Sequence, residues 1–201
     1  MRYRYLAVAA LAAGTLISAR PLQAQSNNRG LLVNAHLTAP ALSGAGENAS
    51  DKADAGYGAG GLVGYGFTDR VMLFVGADFA TVEPQDEDLE GPRYQLGTGE
   101  IGLRVSFRDA GRSWRPYLTA ALSAVVTNDD VEGDEVSVSG AGLTVGGGGQ
   151  YFLSRRLAVD AGLNATMGSF STIEVNGDRD DLQEGIGFIH SRMHLGLSWH
   201  P

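Results

Sequence analysis

Cysteine is absent from the 201 residues, so no disulfide framework and no thiolate metal site holds this chain together. Charge is sparse too, at 19% of residues. Past the N-terminus, no stretch approaches the ~18 to 20 consecutive apolar residues that a membrane-spanning helix needs. Anything embedded in a membrane here must therefore be β. Glycine is abundant instead, at 29 residues, beside a hydrophobic content of 43%. That mixture is odd for a compact water-soluble domain and suits strands packed around a narrow lumen. The length fits one barrel or sandwich domain.

The first residues explain the missing helix. Arg2 and Arg4 precede an apolar run from Leu6 to Ile17, and Leu22-Gln23-Ala24 ends in the small residue that signal peptidase prefers. The expected division is an export signal over 1–24, cleaved after Ala24, and one β domain over 25–201.

That domain has a period of two. Residues 57–67 read YGAGGLVGYGF and 157–167 read LAVDAGLNATM, with apolar side chains at alternate positions. A strand sends successive side chains to opposite faces, so the sheet is greasy on one side and polar on the other. Eight strands are expected, roughly 30–39, 56–67, 71–82, 93–107, 114–127, 137–153, 156–170 and 185–199. The connectors alternate between short turns (68–70, 108–113, 154–155) and long loops (40–55, 83–92, 128–136, 171–184). Short turns at one end and long loops at the other are the outer-membrane barrel pattern. Localisation in the cell outer membrane follows, with both mature termini in the periplasm.

Charge sorts by connector. The formal net charge of −8 falls almost entirely in the long loops, whereas Arg29, Arg70, Arg108, Arg112, Arg155 and Arg156 gather at the short-turn end against Asp69 and Asp109. No basic patch is left for nucleic acid, and an exported chain would not meet that partner.

Parity assigns the faces. Leu31, Val33, Leu37, Leu73, Val75, Ile101, Leu103, Leu118, Leu122, Leu143, Leu163 and Leu195 share the outward register with no charged residue among them. Asp78, Glu100, Arg104, Arg115, Asp160 and Arg192 fall on the inward one. A soluble lipocalin-type barrel would reverse this, being apolar within and polar without. Those charges would then sit in its core, at a cost of several kcal/mol each. The aromatic residues give a separate check: Tyr65, Phe67, Phe107, Trp114, Tyr151 and Trp199 all fall outward at short-turn strand ends, as an interfacial girdle should.

With an export signal, eight amphipathic strands, acidic long loops and a last strand ending Met193-His194-Leu195-Gly196-Leu197-Ser198-Trp199, the chain resembles the small OmpA-like and OmpX-like eight-stranded outer-membrane β-barrel proteins. The resemblance covers essentially the whole mature chain. It implies an all-β, antiparallel up-and-down transmembrane barrel, a monomer, whose partners are outer-membrane lipid and lipopolysaccharide. It also implies that Leu195, Leu197 and Trp199 are the terminal pattern read by the barrel-assembly machinery. His200 and Pro201 depart from the family by following the closing aromatic residue.

The inward residues suggest several chemistries. The six charges sum to three of each sign, and an eight-stranded lumen is just wide enough to be filled by side chains. An ion-pair plug is therefore expected, with Arg104 or Arg192 holding Glu100, and a proton or ion path is the alternative. His36, His190 and His194 are inward and adjoin across the closing seam. However, strand positions four apart are ~13 Å apart, so His190 and His194 cannot share a metal ion. Lumenal hydrogen bonding is the expected role, and no metal or cofactor is expected. Some small outer-membrane barrels modify lipid A with a Ser and a His, but His190 and Ser191 are strand neighbours that face opposite sides, out of nucleophile-base reach. Acidic runs at 129–135 and 178–181 offer the oxygen ligands that Ca²⁺ takes, without the spacing of a calcium loop. The Gly-x-Gly spacings of 141–149 lack the strand-to-helix step of a phosphate loop. The resulting expectation is a non-catalytic outer-membrane barrel serving envelope integrity or surface interaction through acidic outer loops. A narrow channel comes second and a lipid A-modifying enzyme third.

Overall fold

The computed structural model describes residues 29–45, 53–84, 93–107, 113–131 and 134–201. The expected export signal lies outside these residues, as do Arg108, Arg112 and the most acidic part of the 83–92 connector. Eight strands, β1 (Gly30–Gly44), β2 (Asp54–Gly66), β3 (Val71–Glu83), β4 (Tyr94–Ser106), β5 (Trp114–Val131), β6 (Asp134–Phe152), β7 (Leu157–Val175) and β8 (Asp178–Trp199), pair antiparallel in chain order. The barrel closes when β8 pairs β1, from Val33↔Trp199 to Gly44↔Phe188. Closure leaves no sheet edge through the membrane-spanning part, and in lipid this is the one way that strands can satisfy every backbone N–H and C=O.

Two of the short turns are built alike. The Thr68 hydroxyl accepts the amides of Arg70 and Val71 at 3.2 and 3.0 Å, and the Ser154 hydroxyl accepts those of Arg156 and Leu157 at 3.3 and 3.1 Å. A hydroxyl that mimics a backbone acceptor stabilises a tight reversal. The chain enters β1 and leaves β8 at this same end.

The outer wall is apolar. Leu37, Phe79, Leu122, Leu143, Leu163 and Met193 are all more than half exposed, which in water would be an aggregation surface and in lipid is the required one. Trp114 lies across Gly149, where a methyl group would collide with the indole ring. Pro40 sits inside β1 opposite Arg192 of β8. Having no N–H to give, it coincides with a gap in the β1–β2 ladder between Thr38↔Gly58 and Ala41↔Ala55.

Two of the expected long loops are instead strands. Residues 128–131 and 134–136 continue β5 and β6 out to Val131↔Asp134, and 171–175 and 178–184 belong to β7 and β8. The turn of the second hairpin is Asn176-Gly177, with φ of 52° and 89°. Two successive left-handed residues match the twist of a hairpin, and Asn-Gly is the pair that tolerates them best. The strands of β5 to β8 thus rise past the points where β1 and β4 stop pairing, at Gly44↔Phe188 and Gln95↔Asn128.

Facing changes along that rise. Ser171 opposes no residue of β6, since the register jumps between Gly140↔Phe170 and Ser139↔Thr172. Beyond this bulge Ser139, Thr172, Ser137 and Glu174 share the outer face, while Val138, Ile173, Val136 and Val175 share the inner one. The outer wall is therefore apolar through its middle and polar at the loop end, where the inner face mixes Val136, Val138, Ile173 and Val175 with Asp178 and Asp180 of β8.

Candidate functional site: the lumen and the loop end

The lumen is stacked in layers that β5 shows in order. From the short-turn end its inward residues are Arg115, Tyr117, Thr119, Ala121, Ser123 and Val125, all buried. β8 runs the other way with Phe188, His190, Arg192, His194 and Ser198, and His200 follows it.

Asp160 is the centre of the first polar layer and is completely buried. Its Oδ2 accepts Arg104 at 3.1 Å, Gln150 Nε2 at 2.8 Å and Ser198 Oγ at 3.1 Å, and its Oδ1 accepts the Tyr117 hydroxyl at 2.6 Å. The Arg104 guanidinium lies 3.9 Å from the Tyr117 ring centroid. A carboxylate meets this many donors only if the neighbouring strands leave room. Gly148 and Gly162 provide it, since a methyl group there would stand 2.6 Å from the Tyr117 oxygen and 2.7 Å from His194 Cε1.

A second layer centres on Arg192, which reaches across the lumen from the closing strand. It donates to Asp78 Oδ2 of β3 and to Glu100 Oε1 of β4. Asp78 also meets His36 Nε2 at 2.6 Å, and His36 Nδ1 meets Asn34 Oδ1 at 2.6 Å. The His36 and His194 rings stand 5.2 Å apart across the seam, and His194 Nε2 lies 3.4 Å from Asp160. The two layers thus join into one polar chain. Ser123 continues it, donating to Glu100 at 3.1 Å, and hydroxyl contacts run on to Thr144 and Thr166 at 2.5 and 2.7 Å.

Apolar packing accompanies the charges, and nothing in the sequence reading had anticipated it. Leu32, Met72, Phe74 and Ala121 fill the space beside the first layer. Val82, Leu96, Val125 and Phe188 close the lumen toward the loop end, with Leu42, Tyr94 and Phe170 against them. At the opposite mouth, His200 turns inward to pack on Phe152, with ring centroids 5.2 Å apart, and donates its amide to Arg156 O at 2.7 Å. The Arg115 guanidinium lies 4.9 Å from the same Phe152 ring. Between the polar layers remains a cavity of about 20 Å³, lined among others by His36, Asp78, Glu100, Arg104 and Arg192, room for about one water molecule.

Glu100 pairs with Arg192, whereas Arg104 turns to Asp160. Arg115 lies at the short-turn mouth with Phe152 and His200, apart from the two carboxylate layers. His190 is buried beneath the outer apolar layer, and His36 and His194 stand together. Among the described residues no three His, Cys, Asp or Glu side chains are arranged to hold a metal ion. Tyr65, Phe67, Phe107, Trp114, Tyr151 and Trp199 are all exposed on the outer wall, as are Leu195 and Leu197. His190 points into the lumen and Ser191 out of it. In the run 178–181 alternate residues face opposite sides of β8, and Asp181 Oδ1 accepts the Thr172 hydroxyl at 3.2 Å, so these carboxylates do not converge.

The profile of the outer membrane protein beta-barrel domain family matches residues 9–188. No curated protein sequence matches the chain. Among solved structures the fold is similar to that of Neisserial surface protein A, with 20% identity, a TM-score of 0.59 and coverage of 85% of this chain and 96% of that one. It is likewise similar to Ail, the attachment invasion locus protein of Yersinia pestis, at 12% identity and a TM-score of 0.53, covering 85% and 98%. OprG from Pseudomonas aeruginosa gives 11% identity and a TM-score of 0.60, covering 87% and 97%.

Proposed function

Because the chain belongs to the outer membrane protein beta-barrel domain family, we propose that it is a non-catalytic, monomeric outer-membrane barrel acting in surface interaction or envelope integrity through its loop end. In this reading the short turns and both mature termini face the periplasm, the acidic end faces outward, and residues 1–24 are the removed export signal. Lipid and lipopolysaccharide surround the wall, and the assembly machinery reads Leu195, Leu197 and Trp199. The observation that carries it is the filled lumen. Two ion-paired layers and an apolar layer occupy the interior, so the parts left to meet a partner are the raised β5–β6 and β7–β8 hairpins. An attachment protein stands among the structural neighbours, which agrees with a surface role.

The test is to give cells lacking the protein either the wild type or a version with the β7–β8 hairpin trimmed above Phe170. We expect the trimmed barrel to reach the outer membrane but not to restore adhesion or detergent resistance. Full restoration would move the function into the barrel itself. The channel reading has one observation in its favour, the continuous polar chain from Glu100 to Asp160, and conductance separates it from the surface reading.

A further inference from the structure

The two ends of the barrel differ in sign. At the loop end, Asp54, Glu83, Glu174, Asp178, Asp180 and Asp181 outnumber Arg93 and Arg179 among the described residues. At the short-turn end Arg29, Arg70, Arg155 and Arg156 are all exposed, with Asp69 the acidic side chain among the described residues there, 3.5 Å from Arg29. Arg29 precedes β1, Arg70 ends the β2–β3 turn, and Arg155 and Arg156 form the β6–β7 turn. Since β8 closes onto β1, the four lie along the described arc of the rim, from β6 through the seam to β3, and residues 108–112 of the remaining turn lie outside the described residues.

Lipid-facing aromatic residues line the same arc. Tyr151 stands just before Arg155, and Tyr65 and Phe67 just before Arg70, with the last two rings 5.4 Å apart. Trp199 lies between the two groups, opposite Leu157 on one side and Val33 on the other. Aromatic side chains settle at the headgroup level of a bilayer. An arginine one step beyond them extends its apolar stem along the wall and places its guanidinium among the phosphates, where its planar fork binds phosphate oxygens in pairs. We propose that this arc is a docking surface for anionic phospholipids of the phosphatidylglycerol kind, in the leaflet next to the periplasm. The choice of leaflet rests on the orientation proposed above, whereas the lipid preference rests on the arc alone. A soluble polyanion would fit the arginines equally but would have no use for the ring of lipid-facing aromatic residues behind them.

The protein carries its own reporter. Its two tryptophans, Trp114 and Trp199, both sit on the outer wall at this end. The barrel would be reconstituted in mixed phosphatidylcholine and phosphatidylglycerol vesicles in which one lipid or the other carries bromine near its headgroup. We expect brominated phosphatidylglycerol to quench the tryptophans roughly two-fold or more above its mole fraction at low salt. High salt should remove the excess, as should combined Arg70→Gln, Arg155→Gln and Arg156→Gln substitution, while quenching by brominated phosphatidylcholine persists. Heat-modifiable mobility checks that the variant is folded, and single Arg155→Gln, expected to lose part of the excess, serves if the triple variant fails to fold. Quenching that follows mole fraction in the wild type, or an excess that survives in a folded variant, would overturn the proposal. Orientation is tested separately with Thr68→Cys, the sole cysteine in the chain. Labelling of intact cells by a bulky impermeant maleimide would overturn the leaflet assignment and leave the lipid preference standing, whereas protection until the outer membrane is opened supports it.

Discussion

At the scale of single residues, the lumen depends most on Asp160. Four hydrogen-bond donors converge on it, and Arg104 has it as ion-pair partner. Asp160→Ala leaves a buried guanidinium uncompensated and should destabilise the barrel by about 3–5 kcal/mol. Glu100→Ala should cost less, because Arg192 keeps Asp78. Urea unfolding midpoints check the order, and a larger loss for Glu100→Ala would contradict it. His200 makes a prediction of a different kind. It lies beyond the last strand, and burial, then the nearby Arg115 charge, pushes its imidazole from the ordinary 6.5 down to about 4. The folded protein thus refuses a proton that the unfolded chain accepts. Stability from this group is complete above the unfolded value and is lost as pH falls toward the folded one. The wild type should lose more stability between about pH 8 and about pH 5 than His200→Phe; equal losses would show that the imidazole stays solvated. The inward charges were legible from parity, since a period of two fixes the face. Which arginine takes which carboxylate was not, because pairing across a lumen depends on strand stagger and tilt, which no local pattern encodes. His200 stood out in the sequence only as a departure from the family's closing pattern, and its inward packing on Phe152 is visible only in the structure.

At the scale of elements, the hairpins hold the main difference between sequence and structure. Acidic residues made 128–136 and 171–184 read as loops, yet the alternation of Val136 with Val138 and of Ile173 with Val175 continues the strand period. The pair Asn176-Gly177 is itself a hairpin mark, and weighing it against the charge would have found the β7–β8 turn. The bulge at Ser171 was not readable, because one unpaired residue is a property of two strands together. Gly177 at φ 89° is a position where a β-branched residue is strained. Gly177→Val should therefore speed amide hydrogen exchange over 172–181 and leave the exchange of Ala158–Met167 unchanged. Acceleration spreading into the lower strand would mean that hairpin and barrel unfold as one unit.

At the scale of the whole molecule, composition and periodicity foretold an eight-stranded barrel with a lipid-facing wall, and the structure has one. They foretold a plug as well, but only its charged half. Leu32, Phe74, Val82, Leu96 and Phe188 occupy inward positions among polar residues, where a parity reading attends to charge and passes over the apolar residues between. The complete interior alternates ion pairs with apolar layers, so any ion entering must break a buried pair and also shed water to pass Val82, Val125 and Phe188. We propose that this interior is sealed and that function resides at the surface. Single-channel recording of the purified wild-type barrel in planar bilayers separates a sealed barrel from a pore. The wild type should give a flat baseline, with brief openings after Phe188→Ala; steady wild-type conductance whose ion selectivity changes with Glu100→Gln would show an open pore instead.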